Sequence, residues 1–176
     1  MKVGSHAGET WEQIFERKNA EYKKTGRIFW GYGGPTLHPI NQVQPFARTR
    51  AQSGSPIYVL MQSIDSRADP ELAPATEYSP DAVNWKPIPE GINVLGSRYA
   101  LVLDEIHPGD LELVLDDYEV ALGNSRGKSA ADYLTGHIDK ACLTRSANAD
   151  TKIETPKIRK VTFFARLLEP YAVLLK

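Results

Sequence analysis

His38 is the residue of this chain best placed to do proton chemistry. It follows a short passage holding two aromatics, Trp30 and Tyr32, and four glycines, Gly26, Gly31, Gly33 and Gly34. A neutral imidazole accepts or donates a proton near physiological pH, and apolar neighbours disfavour its charged form by desolvation. His38 and Tyr32 are therefore the candidate catalytic residues. Trp30, Gly31, Gly33 and Gly34 are candidate ligand contacts, because Trp30 and Tyr32 fall on one face of a strand and the glycines leave room beside them. The competing explanation is core packing and a tight turn, with His38 capping the helical turn that begins at Pro39.

Three basic residues extend this set toward anions. Arg48 follows a short helical stretch, and Arg126 and Lys128 stand in a turn before Ser129, where amides at a helix start would help to hold a phosphate or carboxylate. Gly127-Lys128-Ser129 is not a phosphate-binding P-loop. That motif needs four residues between its first glycine and Gly-Lys-Ser, whereas Gly123 leaves three and the glycine position is Leu122. Cys142 fits an apolar helix stripe beside Ile138, where a thiol behaves as a small hydrophobe. The histidines at 6, 38, 107 and 137 have no metal-ligand spacing, so no metal site is expected, and no motif names a cofactor.

These residues must be positioned by a chain of 176 residues with one cysteine, which is long enough for one domain with its own core and excludes an internal disulfide. No apolar run has the length to span a bilayer, and the first residues lack the apolar core of a signal peptide, so the expectation is a cytosolic protein away from membranes. The net charge of −1 gives no strong nucleic-acid signal. It hides an asymmetry, however. Residues 1–50 carry eight Lys/Arg against four Asp/Glu, residues 69–119 two against twelve, and residues 125–176 ten against five, so a basic face built from both ends could hold a phosphate-bearing ligand.

Thr10 and Gln13 have the spacing of a capping box, and Trp11, Ile14, Phe15 and Tyr22 fall on one face of a helix over 11–25 whose charges read as a solvated face. Arg27 to Tyr32 is a strand, and Ile40 to Gln44 a short helix ended by Pro45. Strands follow at 56–64, 91–95, 98–106 and 111–115, with a further one at 118–122. Between them, residues 65–90 hold five prolines and read as an irregular loop. Ser129 and Asp132 cap a second helix near 129–145. Residues 161–168 and 171–175 are strands bent apart at Glu169 and Pro170. The pattern predicts a single α+β domain over 1–176 with a mostly antiparallel sheet, curved or barrel-like. Two functions suit it: a pocket for a small anionic or nucleotide-like ligand, or an enzyme acting on a nucleotide or phosphorylated metabolite through His38. A module binding protein partners through the proline-rich loop is a third.

Overall fold

One strand of eighteen residues organises the sheet. The computed structural model describes residues 1–32, 38–68, 73–135, 138, 140–147, 149 and 153–176. In chain order these form β1 (Lys2–His6), α1 (Trp11–Thr25), β2 (Ile28–Tyr32), α2 (Ile40–Gln52), β3 (Tyr58–Ala68), β4 (Glu77–Ser79), β5 (Lys86–Pro87), β6 (Tyr99–Leu103), β7 (His107–Val114), β8 (Tyr118–Val120), α3 (Ala130–Tyr133), β9 (Leu143–Arg145) and β10 (Ile158–Leu175). The first half of β10 lies between β3 and β7, and its second half pairs with β6 and β4. Its register with β6 breaks between Leu167 and Ala172, which places the expected bend at Glu169 and Pro170 inside one continuous strand. All these pairs are antiparallel, β1 joins β3 in parallel, and β8 and β9 form a separate two-stranded ribbon. The class is α+β, as the sequence predicts. Among the described residues the sheet is open rather than closed into a barrel.

Alternation along β2 shows why the sheet is buried on both faces. Ile28, Trp30 and Tyr32 enter the main core with Val59, Leu101 and Leu167, while Phe29 points the other way, to Val102 and Val173. The main core is covered by α1, which begins at the predicted capping box and ends at Gly26, in the left-handed region at φ 71°. Phe15 stacks on Phe163 at 4.6 Å, and Trp11 lies 5.2 Å from the same ring. A third cluster, built on Leu115, Ala130 and Ala131, packs Leu113, Tyr118, Leu134 and Leu143 around the small ribbon.

Several sequence expectations are corrected. The charged face of α1 is not wholly solvated: Lys18 and Glu21 are 5% and 3% exposed and form an ion pair of 2.9 Å. The Lys18 ammonium also donates to the Phe29 carbonyl at 2.8 Å and the Asn93 carbonyl at 2.6 Å, so every donor is satisfied. Helix α2 runs through Pro45 to Gln52. The hydrogen bond that Pro45 cannot make is offset by burial of Ala47 and by the Gln44 amide, which donates to the carbonyls of Pro80 and Ala172. The second helix is only the four residues of α3, with no side-chain cap from Ser129, because Leu143–Arg145 is recruited as a strand by β8. Residues 91–95 are not a strand but a plug, with Ile92 and Val94 buried against the Phe29 side of the sheet. Within 65–90, β3 extends to Ala68 and β4 pairs with β5.

Candidate functional site

A cavity of about 260 Å³ opens at the seam between the main core and the Leu115 cluster. Tyr32, Val59, Leu101 and Leu167 close it from the core side, and Leu113, Leu115, Leu134 and Leu143 from the other. Seams of this kind leave space because each cluster is packed within itself rather than against its neighbour. The charged lining residues are all basic: Lys2, Lys140, Arg159 and Lys160 border the cavity, and no Asp or Glu does so among the described residues.

The strands fix the cations in different ways. Lys2 on β1 is the register partner of Gln62 on β3. Arg159, near the start of β10, donates to Gln62 Oε1 at 3.0 Å and to the Leu134 carbonyl at 2.8 Å, so its guanidinium is held at two points and joins the sheet to the segment after α3. Lys160 sits at the rim, its ammonium 3.5 Å from Asp110 and its side chain 68% exposed. The Lys140 ammonium lies 4.6 Å from the centre of the Tyr32 ring.

His38 and Tyr32 both line this cavity. Their surroundings define what they can do. His38 is 5% exposed, and its Nε2 accepts the Cys142 backbone N–H at 3.0 Å. The ring proton therefore sits on Nδ1, which faces Gly123: a Cβ built there would come within 3.3 Å of it. Burial holds the His38 pKa below its ordinary value. The His38 carbonyl accepts the Tyr99 hydroxyl at 2.5 Å, and the Tyr99 and Tyr32 rings lie 5.2 Å apart. His38 does not cap α2, whose N-cap is Pro39 without a side-chain bond. It clips the chain before α2 to the segment before β9. Burial raises the Tyr32 hydroxyl well above its ordinary pKa and pushes the Cys142 thiol up to about 12, so neither ionises near neutral pH.

A second, smaller space of about 220 Å³ lies beside α1. Trp30 and Gly31 border it, with Ser97, Arg17 and Lys18. The glycine passage thus serves two spaces: Tyr32 faces the first and Trp30 the second, both rings being largely buried. Arg48, Arg126 and Lys128 are exposed and border neither. Gly33 and Gly34 lie outside the described residues, as does His137. Sequence reasoning missed Lys2, Gln62, Lys140, Arg159 and Lys160. The excess of Lys/Arg over 125–176 pointed to Lys140, Arg159 and Lys160 as a group, and nothing in the sequence singled out Lys2 or Gln62. Among the described residues no group of three His, Cys, Asp or Glu is placed to hold a metal ion, and no helix is long and apolar enough to cross a membrane.

Fold and cavity together define an α+β protein with an apolar cavity at the seam of two side-chain clusters, edged by cations. Comparison of the chain with family models, with curated proteins and with solved structures yields no match.

Proposed function

We propose that this protein binds a small organic anion in the seam cavity. The observation that carries the reading is the composition of the lining: four basic residues from three parts of the chain and no carboxylate among the described residues. In a partly desolvated cavity such a charge set favours an anion and penalises a cation. The volume lies just below the roughly 300–1,000 Å³ usual for sites of drug-sized ligands, which suits a small molecule.

Binding is favoured over catalysis by the engagement of His38. The lone pair a general base would use already accepts the Cys142 amide, and Tyr32 keeps its proton. Their role in this reading is to shape and close the wall. The test is thermal shift with inorganic phosphate, adenosine monophosphate, benzoate and octanoate on the wild-type protein and on Leu143→Trp, which fills the cavity. At least one anion should raise the melting temperature of the wild type and not of the variant. No shift from any of them, or equal shifts in both proteins, would remove the reading.

A further inference from the structure

The distribution of charge and apolar surface around the seam cavity narrows the ligand class. Resting on the reading that this cavity binds an organic anion, we propose that the ligand is an amphipathic monoanion, an aliphatic carboxylate. Its head lies at Lys2 and Arg159, and its chain runs among Leu101, Leu115, Leu143 and Leu167.

Arg159 is the anchor that geometry singles out. Its two bonds, to Gln62 Oε1 and to the Leu134 carbonyl, fix the guanidinium in place before any ligand arrives, so little side-chain freedom is lost on binding. Lys2 stands across from Gln62 on the neighbouring strand, which puts a second positive charge at the same end. Lys160 belongs to the rim, where it is exposed and faces Asp110, and it contributes to attraction from solution rather than to the seat of the head. Lys140 is engaged over the Tyr32 ring.

Beyond this charged end the walls are mainly leucines, valines and two isoleucines drawn from both clusters, interrupted by Tyr32, Tyr58, Tyr118, Cys142 and His38, whose Nε2 is already engaged. A nucleotide would bring a ribose and a base with many polar edges that need matched partners, and mainly aliphatic walls leave most of them unpaired, at a large cost in affinity. A hydrocarbon chain needs none. It gains from each methylene it removes from water, at about a fourfold tightening per group. The cavity volume sets the chain short, since about 260 Å³ holds a medium-length body and no more.

Calorimetric titration of the whole protein with butanoate, hexanoate and octanoate, with octan-1-ol as the uncharged comparator and adenosine monophosphate as the competing class, tests this. Affinity should rise by about threefold to fourfold per methylene, and octan-1-ol should bind about tenfold to a hundredfold more weakly than octanoate. Arg159→Gln should weaken octanoate by a similar factor and leave octan-1-ol unchanged. Arg159→Lys, which keeps the charge, and Lys2→Gln, which leaves the Arg159 bonds in place, separate loss of the head site from loss of fold. Equal affinities for the three acids would overturn the aliphatic class while leaving an anion site standing. Binding of adenosine monophosphate, blocked by Leu143→Trp, without binding of octanoate would do the same. Octan-1-ol binding as tightly as octanoate would overturn the charged seat and the anion reading with it. Octanoate binding that survives Leu143→Trp would place the site elsewhere and overturn the proposal.

Discussion

Acidification should loosen the His38 clip, and the size of the effect follows from one proton. Above about pH 6.5, the ordinary histidine value, the imidazole is neutral in the folded and unfolded chain alike, and its bond to the Cys142 amide is present in full. Below that value the unfolded chain takes up a proton that the folded ring, its pKa held down by burial, resists. Unfolded molecules then bind more protons, so stability falls as pH falls, by at most about 1.4 kcal/mol per pH unit, until the folded value is passed and the slope vanishes. Protonation also turns Nε2 from acceptor to donor, facing an amide that donates, so the bond itself is lost. His38→Gln offers a carbonyl oxygen to the same amide and does not titrate. It should cost about 1–2 kcal/mol at pH 8 through imperfect packing and geometry. Urea unfolding midpoints of wild type and variant, measured from pH 8 to pH 5, isolate His38 from every other titrating group. The advantage of the wild type should shrink steadily below pH 6.5. A difference that stays constant across the range would refute the clip.

Two further outcomes test the core. Lys18→Met leaves Glu21 buried with only the Arg17 guanidinium at 3.1 Å and the Asn93 amide at 3.0 Å, and should destabilise by about 3 kcal/mol, whereas Lys18→Met with Glu21→Leu should cost less than the single change. Urea denaturation checks it, and a loss under about 1 kcal/mol for the single variant would show the pair to be solvated. Gly31→Ala puts a methyl 2.8 Å from Ser97 Oγ and should cost about 1–3 kcal/mol, most of it recovered in Gly31→Ala with Ser97→Ala. Equal melting temperatures for the single and double variants would mean that Ser97 is not the constraint.

Patterns carried by neighbours in sequence were legible before any fold was known. The capping box at Thr10 and Gln13, the terminating Gly26 and the alternation along β2 are local, and each is found where its spacing put it. Trp30 and Tyr32 were readable as wall residues for the same reason. What could not be read depends on partners distant along the chain. Lys18 is buried because Glu21, Phe29 and Asn93 converge on its ammonium, and two of those three lie outside its helix. Residues 143–145 extend because β8 offers them an edge, which outweighs a helical stripe that had no second face to bury. In the sequence Arg159 is one more charge just before an apolar strand. Its use emerges only when Gln62 and Leu134, 97 and 25 residues away, are brought to it. The surface residues Arg126 and Lys128 were chosen for a helix start, and α3 proved a single turn, too short to present the stack of amides an anion would seek.

Strand β10 joins elements that lie far earlier in the chain. Strands β3, β4, β6 and β7 all precede it in the chain, and each takes ladder partners from it. Until β10 arrives, these four strands expose unpaired edges, and the loops to be closed are long: the Ser63 and Thr162 hydroxyls that meet at 3.2 Å are 99 residues apart. Closing such loops is entropically expensive before any contact repays it, so the expected outcome in a refolding experiment is slow folding. The arginine that anchors the cavity rides on this same strand, as its second residue. The proposed anion site is therefore complete only once β10 has docked against the strands that precede it in the chain.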